Sequence, residues 1–600
     1  MNSKNLIIIV VLAIVFSLSY CKSDFGSSPS KKAQDFYSQQ IQLLTAQVDT
    51  LIILQNGKSD EAFQQQFLKC RLIYKSVEPF IEYFNPSTAK AINGPAIVEV
   101  EPDNPEYPVA PSGFQVAEES LFPKVDRSDS KLLKQQLSTL KAAIQRAVMV
   151  NEALSFNDKA IFDALRLQLF RIQILGLSGF DAPIAQNSIQ ETKAALNYLS
   201  KYLSFYDAKN FKSWQEKVNS LIRYLNQHSN FNDLNRAVVF SEYFNPVGDE
   251  LVDIQNQLKI PFFDEARPLR ADAPHLFKKG IFNAAFYSPS QKQKTDSNLV
   301  SLGKMLFFDS KLSSSGERNC GTCHRPEKAF TDGLRKNKSF DGQSLILRNT
   351  PTILYAGLQA SQFADSRIAF LEDQIKQVAE NPLEMHGNLK QLVMVINTDK
   401  IYHKKFSLSF PNEPISELKI QEAIAAYIRS KNAFDSRFDQ YMQGDKAKMN
   451  EEEINGFNLF MGKGKCGTCH YMPLFSGNIP PVFMKNESEV IGTPKNKNNK
   501  ELDTDIGKFI LYKAKPHKNS FKTPTLRNVS LTAPYMHNGV YNTLEEVMDF
   551  YNNGGGAGLG LNVPNQTLPA DKLNLTSKEI KSIVAFMGTL SDQKDKSNEF

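Results

Sequence analysis

The sequence is poor in cysteine, in excess charge of one sign and in long hydrophobic runs, and each shortage excludes a class of protein. Six cysteines in 600 residues are too few for a disulfide framework. The formal net charge of +6 is small for this length, so the composition does not indicate a nucleic-acid partner. The apolar run from Leu6 to Phe16 is shorter than the roughly 20 residues that span a bilayer. The length is typical of about three or four globular domains.

Two short segments of the chain are identical. Cys-Gly-Thr-Cys-His occurs at residues 320–324 and again at residues 466–470. This C-x-x-C-H pattern attaches a c-type haem through two thioether bonds, and the histidine becomes an axial iron ligand. A zinc half-site or a thioredoxin-like redox pair would explain one pentad, but a zinc site needs a second C-x-x-C pair nearby. We therefore predict two covalent haems, held by Cys320, Cys323, His324, Cys466, Cys469 and His470.

The N-terminus has the pattern of an export signal. Lys4 supplies a positive charge, the apolar run follows it, and Cys21 comes directly after Leu18-Ser19-Tyr20. A cysteine here resembles the lipobox of bacterial lipoproteins, although Tyr20 replaces the usual small residue. We expect residues 1–21 to be a signal and the protein to be periplasmic, which agrees with haem attachment outside the cytoplasm. Two alternatives stay open: a lipid anchor at Cys21, or a cleaved signal with an incidental cysteine.

The patterning divides the chain into a helical half and a haem-binding half, and the expected fold class is mainly α. Helix-period apolar spacing dominates residues 34–257, and a polar, proline-containing linker follows at 258–296. We expect a separate all-helical N-terminal domain of unknown role, followed by two cytochrome c-like haem domains. The predicted bounds of the haem domains are 297–415 and 444–592.

A single long amphipathic helix is expected to connect the two haem domains, at residues 416–443. The apolar residues on one side of it include Ile420, Ile424 and Ile428, and the helix is predicted from Glu417 to Met442. Ser416 can accept a hydrogen bond from the first turn and is the predicted N-cap.

Three further segments narrow the class of haem protein. Leu302 to Asp309 leads into the first pentad, Arg348 to Thr352 follows it, and Leu531 to Gly539 follows the second pentad. With the pentad spacing, these make residues 298–590 resemble the bacterial dihaem cytochrome c peroxidases and their MauG-type relatives. The resemblance does not extend to the N-terminal half. It implies that the first haem reacts with peroxide, while the second relays or stores electrons.

The resemblance also implies roles around the first haem, with His324 as the proximal ligand. In many family peroxidases a second histidine closes the opposite face until reduction, but Arg325 to Leu347 contains no histidine. We therefore expect an open iron position in the resting protein, as in MauG-type enzymes. Glu384 matches the distal glutamate of the family, which would move a proton between the peroxide oxygens. His386 is the alternative for this role.

The second haem would take His470 and a ligand from the helix that follows His537. A capping box at Thr543 starts this helix, and both Met548 and Tyr551 lie on its apolar face. Periodicity does not choose between the two. By the resemblance, the ligand position falls on Tyr551; the peroxidases carry methionine there and the MauG-type proteins tyrosine. The alternative is that Tyr551 is a core aromatic residue.

Two further features of the family lie between the haems. The family holds a calcium ion there through an asparagine side chain and backbone carbonyls, and the matching positions are Asn349, Thr532 and Pro534. The family usually also carries a tryptophan there. This sequence has Phe363-Ala364-Asp365-Ser366-Arg367 instead, and its single tryptophan, Trp214, lies in the N-terminal half. Electrons would then pass between the haems through other groups, such as Phe363.

Three functions are compatible with these patterns. The preferred one is an exported dihaem peroxidase that reduces hydrogen peroxide with electrons from a small cytochrome c or cupredoxin. The second is a MauG-type enzyme that oxidatively modifies a protein or organic substrate. The third, a plain electron-transfer cytochrome, would need a sixth ligand on the first iron, and the sequence supplies no obvious one. The lysine-rich stretch from Lys485 to Lys522 is typical of a solvated surface; the alternative is a docking patch for an acidic electron donor.

Overall fold

The computed structural model describes residues 27–101, 103–291 and 296–593, and these residues are mainly helical. The predicted signal segment and Cys21 lie outside the described residues. Within the described part of the chain, every helix is too short or too polar to cross a membrane.

The N-terminal half is built from amphipathic helices with polar caps. The first helix begins after Ser28, whose hydroxyl accepts from the N–H of Lys31, and the second after Ser59. The helices are α1 (Pro29–Leu54), α2 (Asp60–Phe84), α3 (Pro86–Asn93), α4 (Phe114–Leu121), α5 (Ser130–Ala153), α6 (Asp158–Arg171), α7 (Ser188–Leu203), α8 (Phe211–Gln227), α9 (Arg236–Val238) and α10 (Asn245–Gln257). Two of them, α6 and α9, continue into π-helical turns at Ile172–Gly176 and Val239–Phe244.

The haem-binding half alternates short helices with loops. Its helices are α11 (Ser297–Phe307), α12 (Cys320–Cys323), α13 (Leu371–Glu380), α14 (Leu389–Ile396), α15 (Lys400–Ser409), α16 (Glu417–Arg429), α17 (Arg437–Met442), α18 (Glu451–Met461), α19 (Phe509–Tyr512), α20 (Leu544–Asn552), α21 (Gly555–Gly558) and α22 (Ser577–Gly588). The 3-10 turns are Ala284–Tyr287, Ser310–Leu312, Pro326–Lys328, Ala356–Leu358, Lys446–Lys448, Cys466–Thr468, Lys515–His517 and Val529–Leu531. The strands β1 (Ser488–Glu489) and β2 (Phe521–Lys522) pair in antiparallel orientation.

Each haem domain is held by one close helix crossing that depends on a glycine. In the first domain α11 crosses α16 at Gly303, where an added Cβ would lie 1.9 Å from the Ala423 carbonyl oxygen. In the second domain α18 crosses α22 at Gly456, where an added Cβ would lie 1.9 Å from the Ser582 carbonyl oxygen. The backbones can approach this closely because glycine has no side chain.

The single connecting helix predicted from Glu417 to Met442 is wrong. Ser416 does cap α16, but α16 ends at Arg429, and α17 begins after Ser436 in a new capping box with Asp439. Between them Phe434 has a positive φ of 50°, which an α-helix cannot contain. The break is favoured by the second cap and by a tertiary contact, because Asp439 pairs with the buried Arg527.

The expected linker packs tightly against the haem domains. Where described, it carries buried apolar residues, among them Leu276, Phe277 and Ile281. The Phe277 ring contacts Phe438 edge to face, and the Tyr287 hydroxyl donates to the Phe483 carbonyl at 2.6 Å. This segment is therefore part of the core. Its prolines and polar residues had led to the prediction of a linker.

The N-terminal half packs against the haem-binding half, and its separation as a domain of its own stays a prediction. Buried residues from both halves of the chain form one hydrophobic cluster. The Phe240 ring meets Phe457 of α18, and the backbone N–H of Arg236 donates to the Asn458 side chain at 2.8 Å. Next to the second pentad, the Phe180 ring packs edge-on against Tyr471 with the centroids 6.0 Å apart. The N-terminal half thus covers one side of the second haem domain.

Candidate haem sites

The first pentad forms the one-turn helix α12. Asn319 and Thr322 make a capping box around it, which fixes Cys320 and Cys323 on a single turn. The Nδ1 atom of His324 lies 3.0 Å from the Phe330 carbonyl oxygen. A ring N–H that donates to this carbonyl leaves Nε2 as the free, basic nitrogen, as in other metal-binding histidines. Burial lowers the pKa of His324, so the ring is held in the neutral form that binds metal.

The second pentad repeats this arrangement on a 3-10 turn. The Nδ1 atom of His470 lies 3.1 Å from the Pro524 carbonyl oxygen and 3.3 Å from that of Phe475. Burial lowers the pKa of His470 to about 4. Both cysteines of each pentad are free thiols in the described structure. With two free thiols and one oriented neutral histidine at each site, the residues fit a covalent c-type haem at both positions.

The loop after α13 brings Glu384 to the first pentad. Glu384 contributes to the electrostatics of the Cys323 thiol, so its carboxyl lies near the first pentad. Asn381 donates its side-chain amide to Glu384 Oε1 at 2.7 Å. Burial raises the pKa of Glu384, and the hydrogen bond from Asn381 opposes that rise. The site therefore contains a half-buried carboxyl that can both accept and return a proton.

Arg318 holds the loop of Glu384 in place. This arginine was not selected in the sequence analysis. Arg318 donates to the Glu384 carbonyl oxygen at 3.1 Å and to the Ser339 carbonyl oxygen at 2.7 Å. His386, the alternative to Glu384, has a positive φ of 49°, and its ring contacts the face of Phe340 edge-on at 5.3 Å. Arg318 lies two residues before the first pentad, but only the tertiary structure reveals its carbonyl partners.

The two candidate ligands of the second haem, Met548 and Tyr551 of α20, differ in their surroundings. The capping box of Thr543 and Glu546 is present as predicted. Met548 is buried in the large hydrophobic cluster, whereas Tyr551 packs at the edge of a small one that includes Phe550. Burial raises the pKa of Tyr551, and the nearby Cys469 and Cys466 thiols raise it further. The Tyr551 hydroxyl therefore lies near the second pentad.

The chain was next compared with known proteins. The profile of the family described as "Di-haem cytochrome c peroxidase" matches residues 297–447. The cytochrome c551 peroxidase of Nitrosomonas europaea is 31% identical over 306 residues, which cover 50% of this chain and 82% of the relative. This chain belongs to the di-haem cytochrome c peroxidase family. It is therefore an oxidoreductase of the dihaem peroxidase type.

Both branches of the di-haem cytochrome c peroxidase family are represented among the relatives. The methylamine utilization protein MauG of Paracoccus denitrificans is 33% identical over 297 residues, covering 44% of this chain and 76% of the relative. A crystal structure of a MauG-like protein associated with microbial copper homeostasis is 30% identical. It covers 51% of this chain and 92% of that chain, with a TM-score of 0.44.

The three residues matched to the calcium site of this peroxidase family lie on two neighbouring segments. The backbone N–H of Asn349 donates to the His537 carbonyl oxygen at 2.8 Å, which joins it to the segment that carries Thr532 and Pro534. The Asn349 side-chain amide donates to the Leu334 carbonyl oxygen at 2.8 Å, which leaves Oδ1 as an oxygen donor. Oxygen donors of this kind suit calcium.

A network of arginines and aromatic rings lies where this peroxidase lacks the inter-haem tryptophan. The Arg367 guanidinium lies 3.5 Å from the centroid of the Phe363 ring and pairs with Asp365 at 2.8 Å. Asp365 also pairs with Arg348, which lies over the ring of Phe521. The Phe521 ring in turn stacks on His537, with centroids 3.8 Å apart and an interplanar angle of 11°. Sequence reasoning named Phe363 but missed the network, because the pairings join distant segments.

Proposed function

We propose that this protein is an exported dihaem peroxidase that reduces hydrogen peroxide to water with electrons from a small donor protein. The reaction consumes one peroxide, two protons and two electrons and yields two water molecules. A donor of the cytochrome c or cupredoxin type supplies one electron at a time. The observation that carries the proposal is that the first pentad has both an oriented His324 and a carboxyl nearby, that of Glu384.

The side chains around the first haem would act on protons. When bound, the haem supplies the iron at which peroxide reacts. The Glu384 carboxylate would take a proton from one peroxide oxygen and return it to the other, departing oxygen. Asn381 holds Oε1 at 2.7 Å, and Arg318 fixes the loop through its carbonyl, so the carboxyl is positioned before peroxide arrives. His386 remains the second candidate for the proton transfer.

The second haem would store and relay electrons. His470 and Tyr551 are its proposed axial ligands, and a phenolate ligand favours ferric iron and lowers the potential. A calcium ion held by Asn349, Thr532 and Pro534 would stabilise the contact between the haem domains. The proposed location is the periplasm, because thioether attachment of haem takes place outside the cytoplasm. Anchoring through a lipid at Cys21 is part of the same proposal.

One observation favours MauG-type chemistry as the second candidate. The Tyr551 hydroxyl lies near the second pentad, and the MauG-type branch carries tyrosine at the position that Tyr551 matches. Such an enzyme would remove electrons from a protein or organic substrate rather than from a small redox donor.

Spectroscopy and stoichiometry test the proposal together. The oxidised protein should show one high-spin haem and should react with peroxide without prior reduction. With a reduced small cytochrome as donor, two donor molecules should be oxidised for each peroxide consumed. Two low-spin haems in the oxidised protein would contradict the open site. Peroxide consumption without donor oxidation, in the presence of an organic substrate, would favour the MauG-type function.

A further inference from the structure

The side of the second haem domain that faces the N-terminal half is closed to a redox partner. Phe180 packs against Tyr471, which follows His470 directly in the sequence, and Asn245 donates to the Met442 carbonyl oxygen at 2.9 Å. A donor that reduces the second haem must therefore approach from another side.

A basic segment lies on another side of this domain. Residues 506–544 contain no aspartate or glutamate, and Lys513, Lys515 and Lys518 within them are exposed. Elsewhere in the same loop Lys495 pairs with Glu501 at 3.2 Å, and a second lysine pairs with Glu546. Lys513, Lys515 and Lys518, by contrast, make no ion pair with any residue that the structure describes. Their charges are not neutralised by a carboxylate of the described residues, and the Lys513 ammonium lies over the ring of Phe509, 5.8 Å from its centroid.

The basic segment is attached to both sides of the second haem site. The Asn565 side-chain amide donates to the carbonyl oxygens of Pro516 at 3.0 Å and Lys518 at 2.8 Å. Asn565 lies in the loop that follows α21, the short helix next in the chain after α20, which carries Tyr551. On the other side the segment leads into β2, which pairs with β1, and the Glu489 carboxyl of β1 lies close enough to Cys469 to influence its thiol electrostatically. The lysines are therefore carried by the outer wall of this site.

An apolar side chain stands among these lysines. Ile510 belongs to the one-turn helix α19 and is 55% exposed. An apolar centre with a charged rim is the usual composition of a docking surface, where the charges guide the approach and the apolar centre loses water on contact. We propose that residues 508–518 form the docking surface for an acidic electron-donor protein. The inference rests on the proposed peroxidase function and adds the charge of its partner.

The electron balance of the docked complex is simple. The reduced donor, a small protein with carboxylates around its haem edge or copper site, gives one electron to the second haem and leaves in its oxidised form. Two such encounters supply the two electrons that reduce one peroxide. Because opposite charges steer the encounter, the rate should fall as the ionic strength rises.

A matched pair of probes separates charge from redox chemistry. One probe is a reduced basic cytochrome c, and the other is the same cytochrome with its lysines succinylated, which makes it acidic. Each is mixed with the oxidised holoprotein in the absence of peroxide. Calorimetry then measures binding, and stopped-flow absorbance measures reduction of the second haem. The acidic probe should bind more tightly and transfer its electron faster, and both advantages should disappear in high salt.

Two triple variants with the same net charge locate the surface. The test variant is Lys513→Glu with Lys515→Glu and Lys518→Glu. The control variant is Lys131→Glu with Lys134→Glu and Lys209→Glu, three exposed lysines of the N-terminal half. The test variant should lose roughly tenfold or more in the association rate of the acidic probe at low salt. The control should change by less than about twofold, because its lysines belong to the N-terminal half and not to the docking surface.

Several outcomes would overturn the inference. Equal losses in the two triple variants would show that only net charge matters, and an equally fast basic probe would show that the surface has no preference. If the test variant instead loses binding to phosphatidylserine vesicles and keeps its donor kinetics, the segment contacts a membrane. Peroxide is absent from these assays, so failure of the peroxidase proposal is detected separately, by the direct reaction of peroxide with the wild-type protein.

Discussion

The two haem domains share their supporting structure and differ in what faces the histidine. In both, a helix crosses its partner through a glycine, and a pentad histidine directs Nδ1 to a backbone carbonyl. The carboxyl of Glu384 lies near the first pentad, and the phenol of Tyr551 lies near the second. If these are the groups that act at the two haems, one scaffold supports two different haem environments through one side chain each.

The two side chains are also held by different kinds of structure. Glu384 is on a loop, which Arg318 and Asn381 hold in place through hydrogen bonds. Tyr551 is on α20, a helix whose start is fixed by a capping box. A carboxyl on a loop can move with the proton that it transfers, whereas a phenol on a capped helix suits a permanent iron ligand. The following substitutions test this contrast.

The largest effect is expected at Glu384, whose replacement should remove the proton transfer and leave the scaffold intact. Glu384→Gln should slow the reaction of the oxidised protein with peroxide by about 10²- to 10⁴-fold, because an amide cannot shuttle the proton. Stopped-flow absorbance measures this rate. Glu380→Gln, an exposed carboxyl at the end of α13, is the control and should leave the rate unchanged. A rate that stays normal in Glu384→Gln and falls in His386→Ala would transfer the role to His386.

The next effect is expected at the second haem. Tyr551→Phe should change the spectrum of this haem and raise its potential, because a phenolate ligand that stabilises ferric iron is lost. Met548→Leu keeps the core filled and should leave both properties nearly unchanged. Spectroelectrochemical titration measures the two potentials. The opposite pattern, with a change only in Met548→Leu, would make Met548 the ligand.

A third prediction tests whether the two glycine-dependent helix crossings contribute equally to stability. Gly303→Ala and Gly456→Ala should each destabilise the protein by about 1–3 kcal/mol, because the new methyl group meets a carbonyl oxygen of the crossing helix. Gly588→Ala is the control, since a Cβ there meets no atom within 4 Å. Thermal unfolding of the holoprotein measures all three. If only one of the two crossings is sensitive, the scaffolds are not equivalent.

The smallest effect concerns the pH dependence of the first site. Asn381→Ala removes the hydrogen bond that opposes the raised pKa of Glu384, so this pKa should rise further. The carboxylate form then appears only at higher pH, and the pH at which the peroxide reaction reaches half its maximum should move upward. The free energy involved is that of one hydrogen bond, about 0.5–1.5 kcal/mol. A pH profile measured by stopped flow would contradict the assignment if it moved downward.

Local patterns predicted much of the haem-binding half. Ser416 and Thr543 were recognised as helix caps from residue type and position alone, because capping involves neighbours three residues apart. The break after Arg429 was missed, since the cap at Ser436 competes with a continuous apolar face and the Asp439–Arg527 pair decides the outcome. The hydrogen bonds from Arg318 to the Glu384 loop were missed for the same reason, because the partners of Arg318 are distant in the sequence.

The sequence by itself determined the two haem attachments, because the cysteines and histidine of each pentad are adjacent in the chain and need only one turn to act together. It also narrowed the second distal ligand to Met548 and Tyr551, since helical periodicity places both on one face. The tertiary structure adds that the Tyr551 phenol lies near the pentad thiols, and only it joined the N-terminal half to Tyr471. Those choices depend on contacts between segments that the chain brings together by folding, and no local pattern encodes them.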